Sequence, residues 1–497
     1  MEYGAAVAET LIGTLLDGLD VQPLRGAARC EASRMVEDSR RVRQGDVFLA
    51  RPGASVDGRD FIARAEQAGA AAILSDAAGC DLAAGPALQS GHLEHDAAVL
   101  AHRLVGLPSH HLDVVGVTGT NGKTTVTTLL HQLLCASGPS ALMGGVVVDT
   151  GETQSAATLT TPMASDVANW LASAVQAGAR TATMEVSSHA LDQHRVAGVR
   201  FAIAIFTGLS GDHLDYHGTM DSYEACKRSL FENLDDRALA IVNLDDAAGG
   251  RVASSTRGRV LGCSLEGVGE MRGVIDRMSE RGTTVTFETP WGQWQQDLPM
   301  IGRHNAMNAL QAAAAALSLG LTAADVQAGL AFASGPPGRL QRVARSPRVI
   351  VDFAHTDGAL GTVLSSLRAV AADDQRILLV VGCGGDRDRS KRPRMAEVAA
   401  EGADEVWLTS DNPRTEDPAS ILRDMAAGVP SAAEARVHEE VDRAAAIASA
   451  VAAAGPRDMV LIAGKGHEQF QLIGDRKVPF DDVETARAAV IVQGGRP

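Results

Sequence analysis

The run Gly116-Val117-Thr118-Gly119-Thr120-Asn121-Gly122-Lys123-Thr124-Thr125 limits what this chain can fold into more than any other stretch. It follows the apolar residues Leu112, Val114 and Val115 and opens an amphipathic pattern over 125–134, so it reads as strand, loop and helix. Small residues let backbone N–H groups close around a phosphate, the helix N-terminus adds positive potential, and Lys123 can reach the terminal phosphates. Thr124 would offer its hydroxyl to Mg²⁺. The general pattern G-x-x-x-x-G-K-[ST] has glycine where this chain has Val117, with glycines at 116 and 119 instead. The plain alternative is a Gly-rich turn with no ligand.

A chain of 497 residues exceeds one core and divides into about three units at ~150 residues each. The sequence places them at 1–91, 92–340 and 341–497. The first alternates strand signals at 46–50 and 71–74 with a helix signal at 61–68, a small α/β domain. The second carries the phosphate loop and the apolar runs 181–186 and 201–206, as in a parallel sheet of the P-loop ATPase type; period-two alternation over 260–299 adds an antiparallel sheet. The third alternates strands at 349–353, 377–381, 406–408 and 459–462 with helical stretches, a doubly wound, Rossmann-like pattern. The fold class is therefore α/β throughout.

Ligands of open α/β sheets bind outside the carboxyl ends of the strands, which sets Glu185, Ser187, Asp212 and His213 beside Lys123. Asn305 and Asn308 share one helix face, where asparagines ordinarily meet water. Acidic residues outnumber basic ones 61 to 45, a net charge of −16, which argues against nonspecific binding to nucleic acid or anionic lipid. Six cysteines without any C-x-x-C pair argue against a disulfide frame or a zinc site. No apolar run approaches the ~20 residues of a membrane span. The expectation is a cytoplasmic protein without nucleic-acid or membrane partners.

In order along the chain, residues 118–125, Glu185-Val186-Ser187-Ser188-His189, Asp212-His213-Leu214-Asp215, Asn305 and Asn308, Gly338-Arg339 and Asp352-Phe353-Ala354-His355 resemble the Mur ligases, ATP-dependent enzymes that add amino acids to the nucleotide precursor of peptidoglycan. The loops Gly384-Gly385-Asp386-Arg387-Asp388, Asp411-Asn412-Pro413-Arg414 and Gly464-Lys465-Gly466-His467-Glu468 are similar to those of the branch that adds meso-diaminopimelate. The resemblance implies ATP binding by Gly119, Thr120, Asn121, Gly122, Lys123, Thr124, Thr125, Asn305, Asn308, Arg339 and Asp352. It implies one Mg²⁺ held by Thr124 and the phosphates, and a second metal served by Glu185, His213 and a carbamylated Lys227, with Lys123 as the catalytic cation. Ser39, Ala54, Ser55, Val56, Thr160, Thr161, Ser187, Gln193 and Arg195 match positions that hold the UDP-sugar-peptide. Arg387, Asp411, Asn412, Pro413, Arg414, Gly464 and Glu468 match the amino-acid end. A monomer acting on these small molecules is expected.

A second carboxylate distinguishes meso-diaminopimelate from lysine, and a guanidinium such as Arg414 can hold it through two parallel hydrogen bonds. Plainer alternatives stand beside these assignments: a surface lysine at 227, an interdomain ion pair between Arg339 and Asp352, a turn cap at Arg414. At the level of the whole chain the rivals are ligation of lysine, a folylpolyglutamate synthetase, a nucleotide-binding switch, and a paralogue that binds without catalysis. Gly208, Gly211 and Asp357-Gly358 depart from the family's usual residues.

Overall fold

In the computed structural model, which describes residues 9–53 and 56–495, three sheets carry most of the strands. The first orders Val21–Leu24, Ala87–Ser90, Ala72–Ser75, Asp46–Ala50 and Arg34–Val36, parallel except for its Val21–Leu24 edge. The expected helix of this unit is Ile62–Gln67, set off by the turn Gly58–Phe61, where the Asp57 side chain accepts from Arg59 N.

The central sheet has eleven strands. Six run parallel in the order Ser140–Met143, Thr181–Glu185, Asp113–Thr118, Ile203–Phe206, Leu239–Asn243 and Arg259–Ser264. Their near-continuous apolar sequence has a direct cause, since successive residues enter different cores: Val115 and Val117 pack with the helices Lys123–Cys135 and Arg303–Ser318, Val114 with Ala164–Gln176 and Met220–Glu232. The antiparallel strands Met271–Ser279, Gly282–Thr289 and Gly292–Leu298 form no separate layer. Pairing of Cys263 with Met271 joins them to the parallel strands in one sheet.

The third sheet orders Gln341–Arg345, Arg348–Asp352, Met459–Ala463, Ile377–Cys383, Glu405–Ser410 and Arg436–Glu440. All are parallel but the first. Asp357–Arg368, Lys391–Gly402 and Pro418–Ala426 cover one face, Arg443–Ala453 and Asp482–Val492 the other, which is the doubly wound arrangement. The helix Leu93–Leu104 buries Ala97, Leu100 and Leu104 in the core of the first sheet together with Ala168 and Ala172 of the central unit. No helix among the described residues is long and apolar enough to cross a membrane.

Candidate active site

The phosphate loop leaves Asp113–Thr118 at its carboxyl end and enters the helix at Lys123. Val117 is still inside the strand and fully buried, so the loop starts later than the general pattern assumes and needs no glycine there. Glycine is needed at 119 and 122, where φ is 149° and 88°. A Cβ on Gly119 would overlap Thr207 Oγ1, and one on Gly122 would lie 2.7 Å from Asn308 Oδ1. Lys123 Nζ folds over the loop and donates to Gly119 O and Thr120 O, both at 2.9 Å. Burial pushes its pKa down, while the Glu185 and Asp212 carboxylates pull the other way.

Glu185 closes the strand beside the loop strand, in register with Val117, and is 1% exposed. Its Oε1 accepts from Gly145 N at 2.8 Å. Lys227, on Met220–Glu232, is no surface lysine: it is 1% exposed, donates to Gly119 O at 2.9 Å, and lies 4.4 Å from the Tyr223 ring centroid. Burial, and then the nearby Lys123 ammonium, hold its pKa well below the usual lysine range. Tyr223 itself was not singled out in the sequence, because an aromatic on an amphipathic helix reads as core. It is buried, and its Oη lies 3.2 Å from Thr120 Oγ1, which ties this helix to the loop.

His213 is exposed with φ 53°, its Nε2 3.5 Å from Asp212 Oδ2 and its ring edge-on to His189 at 4.9 Å. Partial burial moves its pKa down to about 4. Asp212 also lies 3.9 Å from His355 Nε2, which follows the strand Arg348–Asp352 of the third sheet. Among the described residues no group of three or more His, Cys, Asp or Glu could hold a metal ion.

Asn305 and Asn308 do not face water. Both are 6% exposed, Asn305 Nδ2 donating to Ile301 O and Asn308 Nδ2 to Asn305 Oδ1, with Asn308 against Gly122 of the loop. Arg339 and Asp352 do not form a direct ion pair, the plainer alternative to a role at ATP. The Asp352 carboxylate accepts from Leu340 N and Ala354 N at 2.7 and 2.8 Å, and Arg339 stacks on Phe353 at 4.4 Å with its Nε buried and unbonded. Burial raises the Asp352 pKa against the opposing charge of Arg339. Gly338, at φ 69°, lies against Gly466 and His467, and His467 reaches the Gly145 backbone.

On the other side of the central sheet, Arg195 bridges Thr161 O at 2.8 Å and Gln193 Oε1 at 2.6 Å, while Thr161 Oγ1 donates to Glu185 O and accepts from Ser187 N. Thr160 stands beside Gly145. Gln193 also helps to line a cavity of about 640 Å³ between the first sheet and the helix Ala164–Gln176, with Glu37, Arg41, Arg51, Val56 and Asp166. Ser39 is buried in the turn next to this wall, and Ala54 and Ser55 lie outside the described residues.

The amino-acid end gathers three loops. Arg414, at φ 51°, donates from Nη1 to Gly385 O at 2.8 Å, so its side chain holds the loop of Arg387. Asn412 Nδ2 donates to Glu468 Oε2 at 2.9 Å, and Gly464 N donates to Asp352 O at 3.1 Å. Segment 464–468 thus runs from the Asp352 side to the Asn412 side. Lys465, with no role assigned to it above, is fully buried between them. Of the departures, Gly208 uses φ 141° and its carbonyl accepts from Thr120 N, and Asp357-Gly358 begins a helix capped by Thr356.

Residues 33–107 match the Mur ligase family catalytic domain, 117–316 the Mur ligase middle domain and 338–466 the Mur ligase glutamate ligase domain. The UDP-N-acetylmuramoyl-L-alanyl-D-glutamate--2,6-diaminopimelate ligase of Synechococcus elongatus is 43% identical over 95% of this chain and 96% of its own. A solved structure of a ligase of the same name is 33% identical, with a TM-score of 0.65 over 94% of this chain and 96% of its own. MurF ligase from Thermotoga maritima, solved in complex with ADP, shares the fold at a TM-score of 0.63 and 18% identity, over 92% of this chain and 97% of its own. With all three sheets matched in order and a relative this similar over nearly the full length, the chain belongs to the Mur ligase family.

Proposed function

We propose that this protein is an ATP-dependent, ADP-forming ligase that adds meso-diaminopimelate to UDP-N-acetylmuramoyl-L-alanyl-D-glutamate in peptidoglycan precursor synthesis. The observation that carries the reading is the gathering of Lys123 and Lys227 on one carbonyl of the phosphate loop, with Glu185 on the adjacent strand and segment 464–468 leading from Asp352 to Asn412. Similarity to the Synechococcus relative supports the substrates, and the ADP complex of the Thermotoga neighbour supports the use of ATP.

In this reading residues 1–91 take the UDP-sugar, with Ser39, Val56, Thr160, Thr161, Ser187, Gln193 and Arg195 along its path. Residues 92–340 take ATP on 119–125, Asn305 and Asn308, with Arg339 and Asp352 closing over it, and 341–497 take the amino acid through Arg387, Asn412, Arg414, Gly464 and Glu468. The γ-phosphoryl group passes to the D-glutamate side-chain carboxylate, and ADP leaves. The amine of the incoming amino acid then attacks the acyl carbon, a C–N bond replaces the C–O bond, and phosphate departs. Lys123 offsets the charge that builds as two anions approach.

The donor set fits Mg²⁺ on two conditions. Glu185 is an anionic oxygen donor and His213 is unprotonated at neutral pH, but Lys227 qualifies only as a carbamate, and the remaining donors must be phosphate oxygens. Mg²⁺ bound there would polarise the phosphoryl oxygens. The depressed pKa of Lys227 favours the free amine, whose nitrogen can bond to CO₂ with loss of a proton. In this reading the substrates belong to the cytoplasm and the protein acts as a monomer. Phosphate release should require ATP, the UDP-dipeptide and meso-diaminopimelate together. Equal turnover with L-lysine, or ADP binding without turnover, would overturn the reading.

A further inference from the structure

Four of the largest fully buried side chains carry a basic group: Arg392, Arg443, Lys227 and Lys465. Arg392 pairs with Glu416 and Asp424, and Arg443 with Asp482, which accounts for them as fixtures of the third sheet. Lys465 differs in its partners. Its Nζ donates to Glu468 Oε2 at 2.8 Å and to Asn412 Oδ1 at 3.1 Å, and lies 3.5 Å from Asp411 Oδ1, an atom that is buried without a hydrogen bond. Asn412 Nδ2 also donates to Glu468 Oε2, so lysine, amide and carboxylate close a ring of hydrogen bonds.

Arg414 stands next to this ring, within electrostatic reach of Arg387, Asp411, Glu468 and Asp386, the last of these held by Thr415 N and Oγ1. Yet among the described residues no carboxylate lies within ion-pair distance of it, and its Nη1 donates to a backbone carbonyl. Two carboxylates and an unpaired guanidinium in one half-buried cluster should collapse onto each other unless something holds them apart. Lys465 is the group placed to do so. The cluster then holds three cations, Arg387, Arg414 and Lys465, and three anions, Asp386, Asp411 and Glu468.

We propose that Lys465 is a specificity-determining positioning residue, which draws Asp411 and Glu468 away from Arg414 and so leaves that guanidinium open to the distal carboxylate of the amino acid. The proposal rests on reading 411–414 as the amino-acid site. Its test is steady-state phosphate release with ATP, the UDP-dipeptide and either meso-diaminopimelate or L-lysine, on the wild type, Lys465→Met and the double variant Asp411→Asn/Lys465→Met. Lys465→Met should raise KM for meso-diaminopimelate about 10-fold or more and lower its kcat/KM advantage over lysine by a similar factor. KM for ATP and for the UDP-dipeptide should stay within about 2-fold, and the double variant should regain part of the selectivity, because one released carboxylate is neutral.

Unchanged selectivity in Lys465→Met would overturn the proposal. So would a parallel rise of all three KM values without recovery in the double variant, the signature of a packing role. If Lys465→Met does not fold, as judged by circular dichroism, Lys465→Gln keeps a donor without the charge and carries the same expectation. A wild type that uses lysine as well as meso-diaminopimelate would instead defeat the reading of Arg414 beneath it, and the role of Lys465 with it.

Discussion

Lys123 and Lys227 both lie 2.9 Å from Gly119 O, and two ammonium groups that share one acceptor in a buried place raise each other's cost of staying charged. The strain is relieved most simply if one of them is neutral. Lys227 is that one, because it is 1% exposed and its pKa falls well below the lysine range, whereas Lys123 is drawn back toward the charged form by Glu185 and Asp212. Lys123→Ala should therefore lower phosphate release ~100-fold or more, as removal of a positioned charge stabiliser does. Lys227→Ala should be inactive in ordinary buffer and regain part of its rate when acetate or another small carboxylate is added. Full activity of Lys227→Ala without additive would show that no carbamate is needed.

The helix Leu93–Leu104 carries a pH-dependent feature of its own. His102 is fully buried against Gly198, neither ring nitrogen has a hydrogen-bond partner, and burial depresses its pKa to about 3. In the unfolded chain the ring titrates near 6.5, so between the two values the unfolded state binds the extra proton. Stability present above about pH 6.5 is lost as the pH falls toward about 3, at roughly 1.4 kcal/mol per pH unit. His102→Leu removes the titrating group. Thermal melts should show the variant gaining on the wild type by about 2 kcal/mol between about pH 6.5 and about pH 5. Curves that fall in parallel would mean that His102 is not the source.

At the scale of the molecule, the third unit meets the central one through Asp212 with His355, and through Gly338 against Gly466 and His467. Gly338 has φ 69°, and a Cβ there would run into His467 N and the Gly466 backbone, neither of which can yield like a flexible side chain. Gly338→Ala should keep the segment 464–468 from seating. A displacement of ~1 Å at a reacting centre can cost ~100-fold, so kcat should fall by about that much. In the proposed reading most nucleotide contacts come from 119–125, Asn305 and Asn308, so affinity for a labelled ADP, followed by fluorescence, should change by about 3-fold or less. A kcat near the wild-type value would show that this contact does not govern alignment.

Much of this was legible along the chain. The phosphate loop, the buried parallel strands and the loops at their carboxyl ends announce themselves because glycine spacing, apolar runs and the strand-loop-helix order are local properties. Local pattern alone determined the three α/β units and the position of Glu185 beside Lys123. It could not determine what lies across a sheet or between sheets. Only packing decided that Asn305 and Asn308 turn inward beneath the loop, that Asp352 is claimed by two backbone N–H groups rather than by Arg339, and that the antiparallel strands extend the central sheet. Only packing, too, set Tyr223 against Thr120 and buried Lys465 among Asp411, Asn412 and Glu468. The reason is physical: a residue type and its spacing fix which face of an element it occupies, whereas the burial and many of the partners it meets there come from other segments, 103 residues away for Tyr223 with Thr120 and 53 for Lys465 with Asn412.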